Sequence, residues 1–263
     1  MIVVGEKLNS SIPSVNQAFA QNDADYVKNM AQKQLDCGAD YLDVNTAVFL
    51  EQETEKMLWL IEEILKQGDA RLMIDSPNPS TIKKVLEEFR PVRPIINSIT
   101  LQPERFDAIV PLVCEYHTKV VALPIDQSGM PESAAQRFAV AAELIEKLKT
   151  FHINEDDIFI DCLVQAVSSN HMAGLEALQT IRMVKEKYPT VHVIGGLSNV
   201  SFGLPKRVKL NSAFLTAAIT AGLDCAIMDI TSPETRFSLY CALLLNGQDE
   251  YCAEYLQGYR DIF

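Results

Sequence analysis

The stretch YLDVNTAVFLEQETEKMLWLIEEILKQGDARLMIDSPNPSTIKKVLEEFRPVRPIINS, residues 41 to 98, decides the fold. Its apolar runs YLDVN at Tyr41, LMIDS at Leu72 and PIINS at Pro94 are short and rich in β-formers. Between them lie amphipathic segments long enough to cross over a sheet as helices. Strand, helix, strand, helix, strand predicts parallel strands covered by helices. The alternation continues outward in both directions. IVVGE lies upstream near Ile2, and VVALP at Val120, IFIDC at Ile158, VHVIGG at Val191 and CAIMDI at Cys225 lie downstream, making eight runs. Eight βα units predict an α/β chain closed into a (β/α)8 TIM barrel, and 263 residues is near the ~250 typical of one. The rival is an open doubly wound sheet, whose GxGxxG loop after the first strand is missing here. No composition break or linker divides the chain, so residues 1–263 read as a single domain.

Composition narrows the function. Hydrophobic residues make up 48% and charged residues 22%, as in a chain that buries a large core. The net charge of −12, without clustered Lys and Arg, argues against nucleic acid as a partner. No apolar run approaches the ~18 residues of a membrane span. The opening MIVVGEKLN has neither a basic leader nor a cleavage site, so a cytoplasmic location is expected. Six scattered cysteines without a CxxC pair are expected to be free and mostly buried.

In a barrel of this kind the active site lies at the carboxyl ends of the strands. Almost every run here closes on a polar residue: Glu6, Lys7 and Asn9; Asp43 and Asn45; Asp75 and Ser76; Asn97 and Ser98; Asp161; Gly196, Ser198 and Asn199; Asp229. The fifth run leads to Asp126. Helix capping would account for Ser76 or Ser98. It does not account for carboxylates and amides set inside LDVN, MIDS, IINS and FIDC, where burial demands partners. Carboxylates suit a heterocycle edge with an amino group and a ring N–H, and a carboxamide can both donate and accept there; a pterin presents that edge. A bound metal is the alternative, but none of the four histidines ends a strand and there is no HExxH. His192 lies within a run and reads as structural.

At GEKLN (Gly5 to Asn9), LDVN (Leu42 to Asn45), IDS (Ile74 to Ser76), INS (Ile96 to Ser98), Ile160–Asp161 and GGLSNVSFGLPKR (Gly195 to Arg207), the chain resembles the pterin-binding barrel family. It looks most like the methyltetrahydrofolate:corrinoid protein methyltransferases, and the likeness continues through LNSAFLTAAITAGLDCAIMD. The resemblance implies methyl transfer between tetrahydrofolate and the cobalt of a corrinoid (cobalamin). Asp75, Asn97 and Asp161 would hold the pterin, and Asn199 would act at the nitrogen that carries the methyl group, as the catalytic residue. Gly196 and Ser198 fall in the same loop, and Glu6, Asn9 and Asp43 match positions at the floor of the pocket. Arg207 falls where the family has a basic residue over the site, and is expected to hold the folate tail or a water. Departures are Lys7, Cys162 and the PNP after Ser76, while PIDQSG leaves Asp126 without an assigned role.

No DxHxxG signature is present, so the corrinoid is expected on a partner protein. The resemblance also implies a homodimer. The alternative enzyme is a dihydropteroate synthase-like one, which wants a basic residue after the last strand, where DITSPETRF offers only Arg236.

Overall fold

The computed structural model describes residues 1–262. Eight strands close into one parallel barrel in sequence order: β1 (Ile2–Asn9), β2 (Tyr41–Asn45), β3 (Leu72–Asp75), β4 (Ile95–Ile99), β5 (Lys119–Ala122), β6 (Ile158–Asp161), β7 (His192–Gly196) and β8 (Cys225–Met228), with β8 pairing back to β1. All eight expected runs are strands. Around them lie α1 (Pro13–Ala20), α2 (Ala24–Asp36), α3 (Glu53–Leu65), α4 (Pro79–Phe89), α5 (Pro103–Tyr116), α6 (Ala134–Thr150), α7 (Ala173–Lys187), α8 (Arg207–Ala221), α9 (Pro233–Leu245) and α10 (Ala253–Ile262).

Local chemistry sets the helix starts. In α1, α4, α5 and α9 a proline opens the helix, where its missing N–H costs nothing and its fixed φ is already helical. The PNP that follows Ser76 is such a start: the side chain of Asn78 caps α4 by accepting from the Ser80 amide at 3.1 Å. Ser76 is therefore not the cap. Its hydroxyl instead bonds the Glu53 carboxylate and accepts from the Asn78 amide at 3.0 Å. Four of the six cysteines correct the expectation of burial. Cys162 and Cys225 are buried against the barrel, whereas Cys37, Cys114, Cys241 and Cys252 are part-exposed because they sit in the outer helical layer or its turns.

The barrel interior is built in layers that follow the period of two along each strand. One buried apolar residue per strand forms a plug: Val4, Tyr41, Met73, Ile95, Val121, Phe159, Ile194 and Cys225. Two residues further on, toward the carboxyl ends, the inward positions become Glu6, Asp43, Asp75, Asn97, Leu123, Asp161, Gly196 and Ile227, and all eight line one cavity. The larger apolar core lies between strands and helices. Among the described residues no helix is long and apolar enough to cross a membrane.

Candidate active site at the barrel mouth

The strand alternation that seals the lower half opens into a cavity of about 880 Å³. Glu6, Asn9, Asp43, Asp75, Asn97, Asp161, Gly196, Ser198, Asn199 and Arg207 all line it. The volume lies within the ~300 to 1,000 Å³ of small-molecule sites. Registered pairing puts Asn9, Asn45, Asp75 and Asn97 on one rung across β1 to β4. β1 runs three residues past the expected IVVGE, with a register irregularity between Gly5 and Leu8. Between those pairs three steps along β1 match two along β2, and the one extra residue lets Glu6 and Lys7 both line the cavity, while Leu8 stays in the outer core.

Each carboxylate has a different set of partners. Asp75 Oδ2 accepts from Asn45 Nδ2 at 2.8 Å, and Asp161 Oδ1 accepts from the Leu163 amide at 2.7 Å. Burial pushes both acids up to about 6, opposed at Asp75 by the Asn45 bond and the Arg105 charge, and at Asp161 by the Leu163 amide and Arg137. Near neutral pH both are ionised, with one oxygen tied to the protein and the other left to accept from a ligand. Asp43, 2% exposed, is pushed well above the usual carboxylate range, first by burial and then by the Asp75 charge. Its Oδ2 accepts only a long bond of 3.5 Å from Asn9, and its Oδ1 has no partner among the described residues. Burial also raises Glu6, although Ser198 donates to its Oε1 at 2.7 Å.

Asn199 stands on the turn Leu197–Ser201 that follows β7. Two glycines make room for the arrangement. A Cβ on Gly195 would meet Cys162 Sγ at 2.8 Å, and one on Gly196 would meet Asn199 Nδ2 at 3.1 Å. The Asn199 carboxamide is exposed and makes no hydrogen bond to a described residue, so it is available to a ligand. Arg207 lines the cavity and also braces this turn from the start of α8. Its Nη2 donates to the Ser198 carbonyl at 2.6 Å and its Nε to Ser201 Oγ at 3.0 Å. On the neighbouring rim, Lys7 pairs with Asp229 at 2.7 Å.

Other polar residues of the sequence are placed elsewhere. Asp126 does not line the cavity; its Oδ1 accepts from the amide and hydroxyl of Ser128 within its own turn. His192 faces Asp224, Nδ1 to Oδ2 at 3.1 Å, and stacks on Phe159. The sequence reading missed Ser11, Gln165, Asn211 and Thr235, which also line the cavity. Asn45 was visible at a strand end but its pairing with Asp75 was not, and Asn211 of α8 lines the cavity with a buried Oδ1 that has no partner among the described residues. Asn211 lies inside a helix, where no strand-end pattern marks it.

The pterin binding enzyme family matches residues 5–229. The chain is 31% identical over 263 residues to the methylcorrinoid:tetrahydrofolate methyltransferase of Eubacterium limosum, covering 99% of this chain and 96% of that one. It is 30% identical over 241 residues to the methionine synthase of Mycobacterium tuberculosis, covering 87% of this chain and 20% of that longer protein. Among solved structures, a dihydropteroate synthase of Coxiella burnetii in complex with pteroic acid superposes with a TM-score of 0.69 over 94% of each chain, at 17% identity, a likeness of fold. By sequence over nearly its whole length, the chain belongs to the pterin binding enzyme family, among its methyltransferases.

Proposed function

We propose that the protein moves a methyl group between a tetrahydrofolate and the cobalt of a corrinoid carried on a separate protein, the site serving either direction. One observation carries the reading: the ends of β3, β4 and β6 and the turn after β7 bring Asp75, Asn97, Asp161 and Asn199 onto one cavity. The oxygens that Asp75 and Asp161 leave unpaired suit the amino group and ring N–H of a pterin, with Asn97 donating and accepting beside them. The relative from Eubacterium limosum, named for methylcorrinoid and tetrahydrofolate, supports the same substrates.

Reduced cobalt supplies the nucleophile when methyl leaves the folate. An amine nitrogen leaves poorly unless a hydrogen bond strengthens on it as the bond breaks. We assign that task to Asn199, whose carboxamide makes no hydrogen bond to a described residue. By analogy with a single oxyanion-hole donor it contributes ~2 to 4 kcal/mol. In reverse it orients the nitrogen lone pair. The cavity rim offers Met130 and Phe202, exposed at 49% and 67%, to an approaching corrinoid protein. A dihydropteroate synthase-like reaction finds less support, because Arg236 does not line the cavity and Lys7 is already paired with Asp229.

The reading includes a homodimer, supported by Leu245, Tyr251 and Leu256 near the C-terminus, exposed at 78%, 94% and 48%, and a cytoplasmic location. The test mixes purified protein, methyl-tetrahydrofolate and reduced cobalamin and follows methylcobalamin by absorbance. Transfer is expected, and Asn199→Ala is expected to slow it far more than it weakens folate binding. Equal losses would remove Asn199 from the chemical step.

A further inference from the structure

We propose that Arg105 and Arg137, which stand outside the cavity lining, are positioning residues that hold the folate-facing side chains of β3, β4 and β6 through the backbone just beyond them. The inference rests on the folate reading above. Arg105, near the start of α5, donates from Nη2 to the Ser76 carbonyl at 2.9 Å, from Nη1 to the Pro77 carbonyl at 2.7 Å and from Nε to the Ser98 carbonyl at 2.7 Å. Ser76 follows Asp75 and Ser98 follows Asn97, so one planar group ties together the ends of two adjacent strands. Arg137, in α6 and fully buried, does the same for β6. Its Nη1 donates to the carbonyls of Cys162 and Leu163 at 3.2 and 3.0 Å, directly after Asp161. Its Nη2 reaches Gln165 Oε1 and its Nε the Pro131 carbonyl, both at 3.3 Å, which adds the loop after β5.

Neither guanidinium forms an ion pair with a carboxylate among the described residues, although each lies near acids. A buried cation without a counterion is costly, and a structural arginine normally takes a carboxylate partner. Here the rigid fork is spent on neutral carbonyls, a geometry that a lysine ammonium cannot reproduce. The acids keep their outer oxygens for the ligand. Each arginine still places a positive charge behind an acid: Asp75 feels Arg105 together with Asn45 of β2 and Glu53 of α3, and lies beside Asp43, while Asp161 feels Arg137 and, across the cavity, Asp75. Glu176 of α7 and Cys162 face Arg137 in turn.

The test compares wild type, Arg105→Lys and Arg105→Met by titration with methyl-tetrahydrofolate across pH, with rates at saturating folate. Lysine keeps the charge and loses the fork, so affinity is expected to fall about tenfold, equivalent to ~1.4 kcal/mol, with the pH midpoint of binding unchanged. Methionine loses both, so affinity falls and the midpoint rises. The rate at saturating folate should stay near wild type in both. Arg105→Lys binding as tightly as wild type, or losing rate and affinity alike, overturns the proposal. For Arg137→Lys the readout is amide exchange at Leu163, expected to quicken while strand amides stay protected; an unchanged Leu163 or a global loss of protection counts against a local brace. Failure of wild type to bind folate would instead remove the folate reading, and the exchange result would still judge the brace.

Discussion

The side-chain amide of Asn45 donates to Oδ2 of Asp75 at 2.8 Å, across the rung where the two residues are registered partners on β2 and β3. Asn45 is itself fixed, its Oδ1 accepting from the Ala47 amide at 3.0 Å and Ser10 Oγ at 3.3 Å. The bond therefore sets the rotation of the Asp75 carboxylate and leaves Oδ1 as the oxygen that the proposed folate would meet. A hydrogen bond to a charged group is worth ~1.5 to 3 kcal/mol, so Asn45→Ala should weaken folate binding by about tenfold or more. It should also move the pH midpoint of binding upward, because a bond that favours the ionised acid is gone. Titration across pH checks both, and unaltered affinity would contradict this role.

Asp161→Asn should stabilise the protein while damaging folate binding. The folded-state acid titrates at about 6, above its ordinary value of 3.8. Between those values the folded chain binds more protons than the unfolded one, so stability falls as pH rises through that window and the cost is complete above it. Amide replacement removes roughly 1 to 3 kcal/mol of that cost near neutral pH and nothing below about pH 4. Thermal unfolding at both conditions measures it; a variant less stable than wild type near neutrality would be the wrong sign.

Gly196→Ala should leave the fold intact, since Gly196 has φ −77, a conformation open to alanine. The added methyl would press on Asn199 Nδ2 at 3.1 Å. The expected outcome is a loss of methyl-transfer rate at saturating folate, with melting temperature and folate affinity nearly kept. A drop in melting temperature matching the drop in rate would point to general damage.

Phe159→Ala tests the plug. Phe159 is fully buried and stacks on His192 at 4.5 Å between ring centroids. Its truncation should cost about 3 to 5 kcal/mol of stability. Folate affinity of the folded fraction should stay within about threefold, because the ring lies a layer below the cavity. Denaturant unfolding paired with titration separates the two effects.

Much of this was legible in the residues. YLDVN coincides with β2, and the seven other runs fall on strands within a few residues, because apolar β-rich runs flanked by amphipathic helices leave few alternatives. The ten residues singled out from strand ends and loops meet on one cavity: strand period turns Glu6, Asp43, Asp75, Asn97, Asp161 and Gly196 inward, and the turn and helix that follow β7 bring Ser198, Asn199 and Arg207 over them. What stayed hidden depends on contacts between distant segments. The irregularity in β1 that admits Lys7 beside Glu6 is a property of pairing with β2. Arg105 and Arg137 read as ordinary helix residues until their reach to strand-end carbonyls is seen. Asp126 looked like the other strand-end acids, yet its turn consumes it locally.

The apolar plug beneath the polar layer makes the cavity a well with a closed bottom. Two residues along β6 separate Phe159, whose loss should be felt in melting, from Asp161, whose loss should be felt in ligand capture. The same short step recurs on β3 between Met73 and Asp75. Durability and chemistry are thus written on alternate teeth of the same strands, and the lower teeth are free to drift among oily residues of similar bulk without disturbing what happens above them.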